Sequence, residues 1–147
     1  MVIDQQKCLL MARTCACFSL RRASRLVSQA FDRALKPSGL RITQFSVLSA
    51  YHMSGDLGIS KMSRGLGMDR TTLSRNLKLL AQKGLITLEP AEDRREQRVK
   101  VTQKGAQAFE QAVPYWEQAQ QKVISTLGDE KWAAMQQDLR ALAAGAK

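Results

Sequence analysis

Two arginines, one lysine and three hydroxyl side chains lie between residues 70 and 78, and no carboxylate interrupts them. Arginine and lysine donate to phosphate oxygens and to the acceptors of guanine, and hydroxyls bond either phosphates or base edges. An ordinary solvated helix face would also be polar. This combination nevertheless favours a surface that contacts the DNA major groove through Arg70, Thr71, Thr72, Ser74, Arg75 and Lys78.

These side chains are predicted to share one face of a helix over residues 69–83. Asp69 is a suitable N-cap, because its carboxylate can accept from the free N–H groups of the first turn. Gly84 is suited to the position after the helix, where a positive φ is needed. The spacing i, i+4, i+7 predicts a buried stripe on another face, made of Leu73, Leu77 and Leu80.

Two further helices are predicted before this one, at residues 43–53 and 59–65. Thr43 is the predicted N-cap of the first, and Leu66 and Gly67 form the turn that follows the second. A short helix, a turn and a longer helix with exposed hydroxyls and arginines are typical of a helix-turn-helix. This pairing strengthens the prediction that the longer helix contacts DNA.

Two strand-like runs follow, at residues 85–88 and 98–102, and the second alternates polar and apolar residues. The loop between them is predicted to project as the tip of a β-hairpin wing. Its Arg94 and Arg95, with Arg98, are placed to reach a minor groove or phosphates. Asp93 could brace one of these arginines in a bidentate ion pair. Residues 43–102 are therefore predicted to form a DNA-binding lobe.

Long helices are predicted on both sides of this lobe. Apolar spacing indicates one helix over residues 7–36, another from residue 103 to about residue 127 with a kink at Pro114, and a last one over residues 130–144. We expect residues 7–36 and 103–147 to form the interface of a homodimer. The predicted fold class is mainly α with a small β-hairpin wing: a winged helix-turn-helix lobe plus a helical dimerisation lobe.

The net charge of +10 indicates an anionic partner, with nucleic acid first and a membrane surface or an acidic protein second. The charge is unevenly distributed. Residues 64–104 hold ten basic side chains and five acidic ones, whereas residues 105–147 hold four basic and five acidic ones. The basic excess therefore coincides with the predicted DNA-binding lobe and with residues 1–42, and it is absent from the C-terminal helices.

The length of 147 residues predicts a single domain over residues 1–147. One histidine, and no nucleophile–base pair, metal-ligand spacing or phosphate loop, argue against an enzyme, a metal site or a cofactor. No apolar run is long enough for a membrane span, so we expect a cytoplasmic protein. Its three cysteines are then expected to be thiols.

With these motifs in place, nearly the whole chain resembles the MarR family of winged helix-turn-helix regulators. The most specific piece is residues 93–102, DRREQRVKVT, which fits the family's wing pattern with Val101 in a position usually held by leucine; residues 80–86, LAQKGLI, are similar to the end of its recognition helix. The resemblance implies that Arg95 is the wing-tip arginine and that Asp93 braces it. It also implies a homodimer, most often a repressor, that binds a pseudo-palindromic operator.

Family members often release DNA when a small molecule binds, and this is the expected signal here. Its binding site cannot be located from sequence. A cleft between the long helices and the DNA-binding lobe is expected, and it is expected to accept a small-molecule or anionic effector. The rare aromatic and polar-tipped side chains of those helices are its candidates, although each has an ordinary core or surface role as the alternative: Arg22, Tyr51, His52 and Trp116.

The alternative signal is an oxidant that acts on Cys17 or Cys15. The segment around Cys17 is similar to that of the reactive cysteine in the peroxide-sensing branch of the family, and nearby arginines would favour a thiolate. On a single helix Cys15 and Cys17 point apart, so no disulfide is expected between them within one chain, and a disulfide between two subunits is left as an alternative. A role as small packing residues in the core is the other possibility.

Overall fold

The structure is a computed structural model that describes residues 4–55, 57–90 and 97–146. Within these ranges the chain forms seven α-helices, a short 3-10 helix and three strands. The predicted class, mainly α with a small β-hairpin, is confirmed. In chain order the elements are α1 (Gln5–Thr14), α2 (Ala16–Leu35), the 3-10 helix (Lys36–Ser38), α3 (Ile42–Ser54), β1 (Leu57–Gly58), α4 (Ile59–Leu66), α5 (Arg70–Gln82), β2 (Ile86–Pro90), β3 (Gln97–Val101), α6 (Gln103–Ser125) and α7 (Asp129–Gly145).

The single helix predicted over residues 7–36 is wrong, because the chain breaks at Cys15. This residue has an extended backbone (φ −68°, ψ 112°), and its Sγ accepts from the N–H of Phe18 at 3.4 Å as the N-cap of α2. The Thr14 hydroxyl donates to the carbonyl of Leu10 at 2.9 Å. Such local side-chain bonds compete with helix continuation, and every described residue of α1 is exposed, so core packing does not oppose them.

Helix α5 forms where the sequence predicts it. The carboxylate of Asp69 accepts from the N–H of Thr72 at 2.8 Å, and Gly84 takes the positive φ of 69° that ends the segment. The stripe Leu73, Leu77 and Leu80 is at most 1% exposed. The predicted caps and the predicted buried face are therefore both confirmed. Before α5, helix α4 ends at Gly67 with a φ of 61°.

Helix α3 begins one residue earlier than predicted, and Thr43 is not its N-cap. The cap residue is Arg41, whose backbone N–H donates to Oε1 of Gln44 at 3.2 Å. The N–H of Ile42 instead donates to Oδ1 of Asp32 in α2 at 2.8 Å. Thr43 thus lies in the first turn of α3, and its hydroxyl donates at 3.0 Å to Oδ1 of Asn76 in α5.

The strands form one antiparallel sheet in the order β1-β3-β2. Strands β2 and β3 pair from Ile86 with Val101 to Pro90 with Gln97, which is the predicted hairpin. The sequence did not predict β1, in which Leu57 pairs with Val99, because two residues have no readable alternation. The predicted wing tip, with Asp93, Arg94 and Arg95, lies outside the described residues.

A stack of aromatic rings joins α3 to α6. The ring centroid of Phe45 lies 4.8 Å from that of Phe109 and 5.8 Å from that of Trp116. The ring of His52 also stacks on that of Phe109, with centroids 4.8 Å apart. Phe45 is part of the hydrophobic core, whose largest fully buried side chains are Leu35, Leu48, Met62, Leu73, Leu77, Leu80, Val47 and Val99.

The C-terminal helices begin and end close to the predicted residues, while the kink at Pro114 stays a prediction. The Thr102 hydroxyl accepts from the N–H of Gly105 at 3.0 Å, as expected of an N-cap, and α6 continues through Pro114. Every described residue of α7 is at least partly exposed. In the described ranges, no helix has both the length and the apolarity that are needed to cross a membrane.

Gly105 offers a test of the packing between α6 and the hairpin. A Cβ at this position would overlap the carbonyl oxygen of Leu85 and lie 2.9 Å from its carbonyl carbon. That oxygen also accepts from the N–H of Thr102 at 3.0 Å, so it cannot easily move. We expect Gly105→Ala to lower the free energy of unfolding by about 1–3 kcal/mol, measured by chemical denaturation.

Gly65→Ala is the matched control. Gly65 is also inside a helix, but its added Cβ would meet no described heavy atom within 4 Å beyond its chain neighbours and the nearby backbone of its own helix. Because alanine favours helix over glycine by up to about 1 kcal/mol, this variant should be neutral or slightly stabilised. Equal losses of stability in the two variants would contradict the proposed close approach at Gly105.

Candidate nucleic-acid interface

The exposed face of α5 carries the predicted DNA contacts. Five of the six predicted side chains are exposed and line one shallow, open groove: Arg70, Thr71, Ser74, Arg75 and Lys78. At about 100° per residue these five positions span an arc of about 140°, and the leucine stripe occupies a different arc of about 60°. The groove therefore presents three cations and two hydroxyls to a partner.

Thr72, the sixth predicted contact, is placed differently. Its hydroxyl donates at 2.6 Å to Oδ2 of Asp69, while its N–H donates to Oδ1 of the same carboxylate. These bonds, that of the hydroxyl first, hold the pKa of Asp69 below its usual value of 3.8. Asp69 is thus ionised at neutral pH at the positive end of α5. The DNA contact of Thr72 stays a prediction.

Arg70 joins the two helices of the helix-turn-helix. Its Nη2 donates at 2.8 Å to Oγ of Ser60 in α4, and Ser60 is half-buried. A guanidinium has five N–H donors in a planar fork, so one such bond is compatible with a simultaneous phosphate contact. The side chain is therefore positioned at the junction of α4 and α5, at one end of the groove.

The described part of the wing carries one of the predicted arginines. Arg98 is half-buried in β3, between Gly58 of β1 and Glu89 of β2 in the strand register. Next to it, Lys100 and Glu89 form an ion pair at 3.8 Å with both side chains about half exposed. Such a pair contributes little to stability. The contacts predicted for Arg94 and Arg95, and the bracing by Asp93, stay predictions.

A cavity of about 390 Å³ lies between α3, α4 and α6. Of the four candidate ligand residues only Trp116 lines it. Arg22 is exposed on α2, and Tyr51 and His52 contact each other edge to face, with ring centroids 5.9 Å apart, outside the lining. The sequence did not predict the lining side chains from α3 and α4: Phe45, Ser46, Ser49, Ala50, Met53, Ser54, Lys61, Met62 and Leu66.

The spacing of small residues in α3 is a sequence signal for this cavity. Ser46, Ser49, Ala50 and Met53 follow the spacing i, i+3, i+4, i+7, so they form one face of α3. Three of them are small, and small side chains leave space beside a large neighbour such as Trp116. The single cation of the lining, Lys61, comes from the neighbouring helix and cannot be assigned to the cavity without the tertiary structure.

The three thiols are free and exposed in this chain. The alternative that they pack in the core of the protomer is therefore wrong. Cys15 lies at the break between α1 and α2, and Cys17 lies in the first turn of α2. The two residues are not on one continuous helix, so the geometric argument against a disulfide between them does not apply.

Comparisons with known proteins agree with this architecture. A family model described as MarR family matches residues 38–96. An uncharacterized HTH-type transcriptional regulator of Bacillus subtilis, YwoH, is 26% identical over 92 residues, which is 63% of this chain and 67% of that protein.

The transcriptional regulator MosR of M. tuberculosis is similar over nearly its whole length. Its structure in complex with DNA is 40% identical to this chain, with a TM-score of 0.82, and the match covers 90% of this chain and 96% of that one. A second MosR structure is 39% identical, with a TM-score of 0.83, and covers 92% and 97%. With its helix-turn-helix, its hairpin and these relatives, the chain belongs to the MarR family of transcriptional regulators.

Proposed function

We propose that this protein is a sequence-specific DNA-binding repressor with no catalytic role, which binds a pseudo-palindromic operator as a homodimer. The observation that carries this proposal is the groove of three cations and two hydroxyls on α5. MosR, 40% identical to this chain, has been captured in complex with DNA. A repressor works where the chromosome is, which we expect to be the cytoplasm.

In this proposal α5 lies in the major groove. Arg75 and Lys78, in the middle of the exposed face, reach guanine acceptors or phosphates, and Thr71 and Ser74 bond base edges or the backbone. Arg70, held by Ser60, contacts a phosphate. The wing, with Arg98 near the loop end of β3 and with the Arg94 and Arg95 that the sequence assigns to its loop, extends the contact to a flanking minor groove.

The homodimer is supported by the apolar surface that a single chain leaves exposed. Met135, Leu139 and Leu142 form a stripe on α7 and are 38%, 39% and 53% exposed. A 17-residue helix whose described residues are all at least partly exposed gains little from burial within its own chain. In α1, Leu9 and Leu10 are 54% and 61% exposed. A second copy would cover these surfaces, and its two-fold axis would match a pseudo-palindromic operator.

The cavity between α3, α4 and α6 supports release by a small-molecule effector. It combines apolar walls, including Trp116 and Met62, with a few polar groups, as ligand sites commonly do. Lys61 would pair with an anionic group of the effector, and Ser46 and Ser49 would bond its polar atoms. Because α4 is the first helix of the helix-turn-helix, a ligand that favours another position of α4 would lower DNA affinity.

The second candidate signal is an oxidant that acts on Cys15 and Cys17. Both thiols are exposed, and they flank the start of α2, where the backbone is already non-helical at Cys15. One molecule of hydrogen peroxide would oxidise the two thiols to a disulfide by accepting two electrons from them. The two thiol protons and the peroxide would together form two water molecules. A new disulfide there would change the start of α2.

Arg75→Ala tests the DNA interface. The probe is a duplex selected by the wild-type protein from a random-sequence library, and affinity is measured by fluorescence anisotropy. We expect a loss of about 1–3 kcal/mol, or roughly 5- to 150-fold in Kd, because a cation in the groove is removed. Arg140→Ala, which removes an exposed arginine of α7, should bind like the wild type. Equal binding by both variants would refute the assignment.

Leu139→Glu tests the homodimer by sedimentation equilibrium. A charge in the middle of the α7 stripe would have to be buried without a partner, so the dimer dissociation constant should rise by more than about tenfold. Gln137→Glu places the same charge on an exposed position of α7 and should leave it unchanged. A wild-type protein that is monomeric at micromolar concentration would contradict the proposal.

Peroxide treatment separates the two candidate signals. If thiols are the switch, hydrogen peroxide should release the wild-type protein from the selected duplex, and dithiothreitol should restore binding. Cys15→Ser and Cys17→Ser should then bind regardless of peroxide, whereas Cys8→Ser, which removes the third thiol, should respond like the wild type. An identical response of all four proteins would eliminate the redox candidate and leave release by a ligand.

A further inference from the structure

A chain of hydrogen bonds connects α2 to the middle of α5. It begins at Asp32 in α2, whose Oδ1 accepts from the N–H of Ile42 at 2.8 Å. The next residue, Thr43, donates its hydroxyl to Oδ1 of Asn76 at 3.0 Å. Asn76 then donates its Nδ2 to the carbonyl oxygen of Thr72 at 2.9 Å, one turn earlier in α5. The side chains of Asp32, Thr43 and Asn76 are all half-buried.

Unlike the leucines of the buried stripe of α5, Asn76 has a polar side chain that forms hydrogen bonds. The leucine stripe holds the helix against the core, but apolar burial has no direction, so it specifies the roll and the axial position of the helix only loosely. A hydrogen bond has a preferred distance and angle, and it is weakened by small displacements. The bond between Asn76 and Thr43 is therefore a directional restraint on α5 from another element.

A directional restraint matters for reading DNA sequence. A roll of about 20° displaces groups at the helix surface, roughly 6 Å from the axis, by about 2 Å. Hydrogen bonds to base edges do not tolerate such a shift, whereas long, flexible cations can still reach phosphates. Loss of the restraint should consequently reduce specific binding far more than non-specific binding.

We propose that Asn76 is a positioning residue, and that the chain Asp32–Ile42–Thr43–Asn76 fixes the orientation of α5 relative to α2. Asn76 does not line the shallow groove on α5, so it acts through the placement of side chains that do, such as Arg75 and Ser74. The inference rests on the proposed DNA-binding function. By this proposal α2, a helix outside the helix-turn-helix, directly influences the orientation of α5 and of the groove on its exposed face.

The test compares affinity for the selected duplex with affinity for a scrambled duplex of the same composition at one salt concentration. Thr43→Val and Asn76→Leu remove the bond with side chains of similar size. Each should weaken specific binding about tenfold and change binding of the scrambled duplex by less than about twofold. Thr43→Ser keeps the hydroxyl and should bind within about twofold of the wild type. The double variant should lose no more than either single one, because both remove the same bond.

The α2 end of the chain is tested in the same way. Asp32→Ala removes the acceptor of the Ile42 N–H and should weaken specific binding at least about threefold. Asp32→Asn keeps an acceptor oxygen and should restore it. Val113→Ala, which trims a half-buried residue of α6 that makes none of these hydrogen bonds, controls for a general loss of stability and should leave the ratio of the two affinities unchanged.

The possible failures are distinguishable. A wild-type protein that enriches no sequence from the library would overturn the proposed function, and the positioning role with it. Specific binding by the wild type, together with unchanged ratios in Thr43→Val and Asn76→Leu, would overturn the positioning role alone. The positioning role would also be overturned if the variants lost affinity for the selected and the scrambled duplex in parallel, or if Val113→Ala changed the ratio equally. Asn76 would then be a residue that only stabilises the fold.

Discussion

Burial of the leucine stripe on α5 is the constraint on which the rest of the DNA-binding lobe depends. Leu73, Leu77 and Leu80 are each at most 1% exposed, and full burial of a leucine contributes about 1.5–3 kcal/mol. Their sum is comparable with the whole net stability of a small domain, which is about 5–15 kcal/mol. The stripe therefore decides which face of α5 is hidden, and the cations on the other face remain hydrated until an anion replaces water.

The sequence predicted α5 almost to the residue because its signals are local. Asp69 and Gly84 act within one turn of the helix ends, and a periodicity of three and four needs no partner to be read. The break at Cys15 could not be found this way. Apolar spacing continues across it, and the break follows from weak local bonds in a segment that the chain leaves unburied. The two-residue strand β1 depends on pairing with β3, which periodicity does not encode.

For the candidate site, too, the sequence predicted what depends on local structure and missed what depends on tertiary contacts. Side-chain chemistry placed Arg70, Thr71, Ser74, Arg75 and Lys78 correctly on one face, because a helix fixes their arc. The same chemistry predicts that Thr72 contacts DNA, but it did not predict the bond that the Thr72 hydroxyl donates to Asp69. A hydroxyl has several partners available, and sequence alone does not rank them. The cavity beside Trp116 lies between α6 and the pair α3 and α4, which are distant from α6 in sequence, and only Trp116 was among its expected residues.

The two candidate signals act on one geometric quantity, the spacing and orientation of the two recognition helices in the proposed dimer. A homodimer contacts successive major grooves only if the copies of α5 are held one helical turn of DNA apart. In the proposed dimer that separation would be set by the helices that carry exposed apolar side chains, α1, α2 and α7. The thiols flank the start of α2, and Asp32, near its end, holds α3 and through it α5. A ligand in the cavity would contact α3, the middle helix of this connection, and also α4. Either proposed signal would therefore act without touching the residues proposed to bind DNA.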